Sequence, residues 1–267
     1  MKRLLFSILY LAVISWAFSA EAGFISIQTY ATCTVMQDGV RINVTTTNMG
    51  DEAAANVQIH AIFQNTVRSS GIKPALKPGE SFTAFLTLHP QLSLPGSYPV
   101  EVRVDFHDLN GYLFSSLSHA SFVYQEGVNM QVFVRPTEVV MTGKTRLRLE
   151  VLNMDRVERE VRIRLIVPQE LKVNPAEQGL RIKAQGKGKV SFKLKNFSAL
   201  EGSVYPVISF LEYEADGRHY SNVAESKVRV AQDQNFFKKH SVALIIFGLA
   251  LGLVVVLFQL LRPDKKA

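Results

Sequence analysis

Arg41-Ile42-Asn43-Val44-Thr45-Thr46-Thr47-Asn48-Met49 returns further along the chain as Arg146-Leu147-Arg148-Leu149-Glu150-Val151-Leu152-Asn153-Met154. In both stretches apolar and polar side chains alternate until the run stops at Asn-Met. A period of two is the mark of a half-buried β-strand. Each stretch leads through a polar turn into a second alternating run, Val57, Ile59, Ala61 and Phe63 in one copy and Val161, Ile163, Leu165 and Val167 in the other. Working outward, Gly79-Glu80-Ser81-Phe82 opens a strand with Phe82, Ala84, Leu86 and Leu88 on one face. Gly188-Lys189-Val190-Ser191 opens one with Val190, Phe192 and Leu194. Gly96-Ser97-Tyr98-Pro99-Val100 is matched by Gly202-Ser203-Val204-Tyr205-Pro206-Val207, and Asn110-Gly111 by Asp216-Gly217. The offset is 105 from Arg41 to Arg146, 106 from Gly96 to Gly202 and 107 from Tyr98 to Tyr205. Motifs repeated in order predict a tandem duplication.

Helical periodicity is absent before residue 236. Asn-Gly and Asp-Gly predict two-residue hairpin turns, because these residues accept positive φ. Pro-Gly at 78–79 and 95–96 predicts tight turns between strands. Short strands separated by regular turns, about seven per hundred residues, predict an immunoglobulin-like sandwich. The fold class is therefore all-β: two tandem immunoglobulin-like β-sandwiches, 23–125 and 126–231, plus one C-terminal transmembrane helix. The short join at Glu126-Gly127 predicts end-to-end packing with limited freedom. Asn48-Met49-Gly50-Asp51, Leu76-Lys77-Pro78-Gly79-Glu80 and Pro95-Gly96-Ser97-Tyr98 are turn motifs through which Gly23 to Val230 resembles the bacterial CARDB (cell-adhesion-related) domains and related fibronectin-III-like modules. That resemblance implies binding or scaffolding rather than catalysis, and it transfers no site residues.

The two ends carry targeting patterns. Lys2 and Arg3 precede an apolar run from Leu4 to Phe18, and Ala20-Glu21-Ala22 places small residues at a cleavage site. This three-part pattern predicts a signal peptide, 1–22, with the mature chain starting at Gly23. Ser241 to Leu261 holds no charged residue. At a rise of ~1.5 Å per residue such a helix crosses a ~30 Å hydrocarbon core. A linker, 232–240, precedes it, and a six-residue cytoplasmic tail, 262–267, follows. The expected location is the cytoplasmic membrane of a bacterium, single-pass, with the ectodomain periplasmic or extracellular. Within the span Gly248 and Gly252 form a G-x-x-x-G motif. At ~100° per residue Ser241, Gly248, Gly252 and Gln259 fall on one stripe, which predicts helix–helix association as a homodimer or with another subunit.

Candidate chemistry is sparse. Cys33 is the only cysteine, so no intrachain disulfide forms, and its alternation with Ala31 reads as a small buried residue. Asp105-Phe106-His107-Asp108-Leu109-Asn110-Gly111 offers oxygen ligands but lacks the spacing and closing Glu of an EF-hand, and it reads as a strand entering a turn. His60, His89, His107 and His119 are scattered, with no nucleophile, metalloprotease or phosphate-loop motif around them. No cofactor, metal or catalytic residue is expected, and the chain is read as a non-enzyme. The only tryptophan, Trp16, lies in the leader, and the tyrosines at matching repeat positions read as packing. Asn43-Val44-Thr45 and Asn196-Phe197-Ser198 match a glycosylation sequon, which matters only in a eukaryotic secretory pathway.

Charge is uneven. Residues 23–125 carry 5 basic and 7 acidic side chains, net −2; residues 126–231 carry 18 and 13, net +5. Arg181, Lys183, Lys187, Lys189, Lys193 and Lys195 form a candidate basic patch for anionic lipid headgroups or an acidic polymer, set against the reading of an ordinary solvated strand face. Nucleic acid is not expected in this compartment. The function expected is a membrane-anchored binding or scaffolding protein, an accessory subunit of a cell-envelope complex for transport, secretion or polysaccharide export. The alternatives are an adhesion or glycan-binding module, and a hydrolase whose site no motif announces.

Overall fold

The computed structural model describes residues 23–231 together with 242–243, 245–248 and 250. The expected leader, linker, tail and most of the expected membrane helix lie outside the described residues, and of the association stripe only Gly248 is described. The described residues between 242 and 250 are helical, and no helix among the described residues is long and apolar enough to cross a membrane.

The rest is strand and turn. The first half runs β1 (Ile27–Val35), β2 (Val40–Asn48), β3 (Ala54–Phe63), β4 (Thr66–Ser69), β5 (Lys73–Leu76), β6 (Ser81–Leu88), β7 (Gly96–His107) and β8 (Leu113–Tyr124). The second runs β9 (Val132–Arg135), β10 (Glu138–Met141), β11 (Lys144–Asn153), β12 (Arg159–Ile166), β13 (Leu171–Asn174), β14 (Glu177–Ile182), β15 (Lys187–Asn196), β16 (Val204–Ala215) and β17 (Arg218–Val230). In the first half β1-β2-β6 covers a sheet in which β3 joins β7 and β7 joins β8, with β4 and β5 on the outer edge of β3. In the second half β13-β15-β11-β9 covers β14-β12-β16-β17, with β10 added parallel to β17. Each pair of sheets encloses its own core, one around Ile42, Ile59, Val102 and Phe122, the other around Leu147, Phe192, Val207 and Tyr213. Both halves are immunoglobulin-like sandwiches.

The repeated residues do the same work in each half. Asn48 and Asn153 are buried at the ends of β2 and β11. Asn48 Oδ1 accepts from Gly50 N at 3.0 Å, and its Nδ2 donates to Glu52 O at 2.7 Å and Leu76 O at 3.0 Å. Asn153 Oδ1 accepts from Asp155 N at 3.0 Å, and its Nδ2 donates to Val157 O at 2.9 Å and Ile182 O at 3.1 Å. Each asparagine thus closes its own turn and ties it to a strand about thirty residues on. Tyr98 OH donates to Leu94 O at 2.7 Å, and Tyr205 OH accepts from Leu200 N at 2.9 Å. Both are tyrosine corners at the start of the same strand of the sandwich. The hairpin turns differ. Asp216 and Gly217, both at positive φ, make the expected two-residue turn, whereas the β7–β8 turn spans Asp108 to Tyr112. There the Asp108 carboxylate accepts from Asn110 N and Tyr112 N, so the most polar stretch of the sequence holds a loop together.

The halves do not pack end to end. Their β7–β8 and β12–β16–β17 sheets lie face to face along the length of the strands, because the outward faces of these sheets are apolar or polar-paired. Leu117 of β8 meets Ile166, Ile208, Phe210 and Val223. Glu170 accepts from Ser115 N and Oγ, and Gln169 Nε2 donates to Asp105 Oδ1 at 2.8 Å. At the far end His219 N donates to Pro95 O at 2.9 Å, and its ring stacks on Tyr98 at 4.1 Å. Gly96, with φ 146°, is not in a turn between strands; it starts β7 where a Cβ would run into the His219 carbonyl. The result is four sheet layers, the inner two joined at one end by the parallel bridge between Gly96 and His219 into a single sheet of ten strands.

Two outcomes test this account. Asn48→Ala and Asn153→Ala each orphan buried backbone groups and should destabilise the protein by about 2–3 kcal/mol in denaturant unfolding, far more than Asn43→Ala on the surface. His119, in the interface opposite Glu101, has a buried Nδ1 without a partner among the described residues. Burial holds its pKa below the ordinary 6.5, while Glu225 pulls the other way. Its neutral form is therefore favoured in the fold, a contribution present above that ordinary value and lost as pH falls through it toward the folded value. The Tm advantage of the wild type over His119→Gln should shrink between about pH 7.5 and 5.5.

Candidate functional site

In β11 and β15 the pleat sends Leu147, Leu149, Val151, Val190, Phe192 and Leu194 into the core, and every residue between them outward. Antiparallel register then decides which outward side chains stand side by side. Lys172, Lys195 and Lys144 form one row across β13, β15 and β11. Asn174, Lys193 and Arg146 form the next, then Ser191 and Arg148, then Lys189, Glu150 and Arg135, with Lys187 beside Leu152. Glu150 is the one acid in these rows, and Arg135 Nη1 holds it at 2.9 Å. Opposed side chains in such a row have Cβ atoms ~5 Å apart, and like charges there repel. A shallow concavity at the upper rows is lined by Lys144, Arg146, Lys172, Asn174, Lys193 and Lys195. Lys172 Nζ also sits 3.9 Å above the Phe197 ring.

Of the residues expected to form a basic patch, Lys187, Lys189, Lys193 and Lys195 share this face. Arg181 lies on β14 in the other sheet, with Nη2 donating to Glu160 at 3.1 Å and Glu158 nearby, and Lys183 follows it at the end of that strand. Sequence reasoning missed Lys144, Arg146, Arg148, Lys172 and Arg135. For Lys144, Arg146 and Arg148 the signal was present as the polar half of the same alternation that identified β11, whereas Lys172 on β13 and Arg135 on β9 join them only through strand pairing.

The outermost layer of the first half has the opposite chemistry. Its rows read Gln28–Thr47–Ser81, Tyr30–Thr45–Thr83, Thr32–Asn43–Phe85 and Thr34–Arg41–Thr87. Arg41 is its only charge. Thr45 and Thr83 hydroxyls lie 3.0 Å apart, Thr47 and Ser81 2.8 Å. Tyr30 and Phe85 stand out of it 72% and 69% exposed. Behind it Cys33 packs against the core, where burial pushes its thiol up to about 12.

Two clusters resemble catalytic arrangements. Ser69 Oγ is 2.8 Å from His60 Nδ1, and His60 Nε2 is 3.2 Å from Asp105 Oδ2. Asp105 also pairs with the Arg103 guanidinium, Nε 3.0 Å from Oδ1, and accepts from Gln169, so this relay runs from edge strand β4 into the interface, apart from the concavities of the surface. Burial lowers the His60 pKa, with Asp105 opposing. The second is a cleft of about 330 Å³ between the halves, bringing Arg162, Arg164, Glu177, Glu212, Glu214 and His219 together. Both His219 nitrogens are engaged there: Nδ1–H donates to Ser97 O at 2.8 Å and Nε2 faces Glu212 at 3.4 Å. The geometry of both clusters joins strands and halves.

No protein-family model matches the chain, and no curated protein matches it in sequence. Similar solved structures include Escherichia coli alpha-2-macroglobulin activated by porcine elastase, at 9% identity over 80% of this chain and 23% of that one, TM-score 0.30. They also include a protein of unknown function from Porphyromonas gingivalis, at 11% identity over 76% of this chain and 99% of that one, TM-score 0.31. The Escherichia coli chaperone DraB matches at 14% identity over 37% of this chain and 54% of that one, TM-score 0.28. The chain thus spans under a quarter of the alpha-2-macroglobulin chain that it matches. These likenesses carry no argument about activity; the immunoglobulin-like sandwich stands on strand order and the two tyrosine corners.

Lys193→Glu, facing Arg146 across β15 and β11, should raise stability by roughly 0.2–1 kcal/mol by replacing a repulsive cross-strand pair with an attractive one. The gain should fade in high salt. A loss of stability at low salt would mean that the face is not electrostatically strained.

Proposed function

We propose that the chain is a non-catalytic binding scaffold, anchored by 241–261 in the cytoplasmic membrane of a bacterium, with both sandwiches outside the cytoplasm, and that it serves as an accessory subunit of a cell-envelope complex. The observation that carries this reading is the four-layer block with chemically opposite outer faces. Locked face to face, the halves hold a neutral hydroxyl-and-aromatic surface on one side and a basic surface on the other. A spacer between an anionic element and an uncharged partner needs that arrangement. The resemblance of the turn motifs to those of CARDB domains accords with scaffolding. Helix–helix contact along Ser241, Gly248, Gly252 and Gln259 would add a link to a second subunit. A glycan-binding reading is favoured by Tyr30 and Phe85, because exposed rings beside hydroxyls suit sugar faces.

The test is extraction of the full chain from native membranes in mild detergent. A partner should co-purify with the wild type and be lost with Tyr30→Ala/Phe85→Ala at unchanged Tm. Release of the chain by alkaline carbonate would overturn the anchor. Co-purification indifferent to both that pair and Arg146→Glu/Lys193→Glu would overturn the two faces as binding surfaces. Loss only on adding a soluble oligosaccharide would move the assignment to glycan binding.

A further inference from the structure

Exposed apolar side chains gather at the end of the body where the chain leaves it. Val230 N donates to Ser203 O, Gly202 N to Val230 O and Ala231 N to Met141 O. Just past Met141, β11 starts at Lys144, and Asn196 N donates to Gly143 O at 2.7 Å. The row Lys172–Lys195–Lys144 therefore stands at this same end. Loop 197–203 crowns it. The Asn196 side chain bonds Ala199 N and O, and Tyr205 OH accepts from Leu200 N, so the loop is held firmly. It presents Phe197 and Leu200, 64% and 54% exposed.

The first half contributes a second tip. β7 and β17 run parallel from their junction at Gly96 and His219, so the β7–β8 turn arrives at the end where β17 finishes. Ser115, just beyond that turn, bonds Glu170, just before β13. The turn is fastened by Asp108 and presents Leu109 and Tyr112, 72% and 68% exposed. Loop 197–203 thus holds Phe197 and Leu200 out beside the lysine row, and the β7–β8 turn holds Leu109 and Tyr112 out at the same end beside its own Asp108. Nine residues, 232–240, separate Ala231 from the uncharged run that begins at Ser241. Nine residues reach at most ~30 Å.

We propose that this end of the body rests on the anionic surface of a lipid bilayer. Phe197, Leu200, Leu109 and Tyr112 enter the headgroup region, and Lys144, Lys172 and Lys195 meet lipid phosphates. Charge complementarity and the place where the chain exits both point to that occupant. An apolar tip beside a row of lysines suits an interface whose outer layer is anionic and whose next layer is apolar, since burial and attraction then act together. The upper rows of the basic face continue the attraction up the side of the second sandwich. The proposal deepens the reading of 241–261 as a membrane anchor and rests on it for orientation.

The experiment uses residues 23–231, which hold both cores complete. The only tryptophan of the chain is Trp16, so this piece has none. Phe197→Trp therefore gives a single reporter, and Met154→Trp, at the opposite end of β11, gives its control. With phosphatidylglycerol–phosphatidylcholine vesicles the emission of Phe197→Trp should shift to the blue, and that of Met154→Trp should not. Pure phosphatidylcholine vesicles should leave both unchanged. Adding Lys144→Glu, Lys172→Glu and Lys195→Glu to the reporter should weaken binding roughly a hundredfold or more, the factor for three cations at about 1 kcal/mol each. Thermal melts matching the parent show that each variant is folded. No shift on anionic vesicles, or an equal shift from both reporters, overturns the proposal. Binding of soluble polyglutamate without any vesicle-induced shift overturns it in favour of an acidic polymer. Because the piece lacks 241–261, its failure leaves the anchor reading standing, and carbonate release of the full chain leaves the vesicle result standing.

Discussion

The architecture depends on the contact between the outward faces of two sheets that, in an isolated immunoglobulin-like sandwich, would meet water. Leu117, Ile166, Ile208, Phe210 and Val223 supply the apolar centre, and fully burying such side chains contributes about 1.5–3 kcal/mol each. At one end the bare Cα of Gly96 admits the His219 carbonyl, and Tyr98 stacks on the imidazole. At the other, Glu170 is buried with its carboxylate on Ser115. Burial raises the pKa of Glu170, and the Ser115 bonds act against that rise, which keeps an acid tolerable inside the contact. Contacts at both ends and the middle leave little freedom for one half to rotate on the other.

That rigidity turns two sheet faces into opposed surfaces. A flexible pair of domains would present its basic and neutral faces at any angle. The block holds them four layers apart and brings two loop tips to the end where the chain departs. The basic face carries a cost, since Lys195 is flanked by Lys144 and Lys172, and Arg146 by Lys193, without an acid between them. Cross-strand repulsion of this kind is avoidable by a single Glu, as Arg135 and Glu150 demonstrate two rows beyond Arg146. An uncompensated row of cations favours an anionic counterpart outside the chain.

The repeat was legible because its signals are local. Alternation marks a strand wherever one face is buried, and a Tyr-Pro pair after a glycine marked matching positions in the two copies, where the tyrosines read as packing. Asn48 and Asn153 were legible as repeat landmarks, although the hydrogen bonds that give them their role reach about thirty residues away. The basic site was half legible: Lys187, Lys189, Lys193 and Lys195 alternate along one strand, so they share a face by pleat alone. Arg181 and Lys183 looked like part of it because they are near in sequence, yet β14 belongs to the opposite sheet.

By itself the sequence determined the all-β class, the duplicated sandwich, the strands that alternate and the net charge of each half, since these follow from periodicity and composition. Tertiary structure alone decided that the halves lie side by side, that Pro95-Gly96 is a junction and not a turn, and that Lys144, Arg146, Arg148 and Lys172 join the lysines of β15. It also decided that Phe197 and Leu200 share an end with Leu109 and Tyr112. The physical reason is the same throughout. Strand character is set by a residue's near neighbours, whereas register and packing are set by backbone hydrogen bonds and buried surface between residues far apart in the chain.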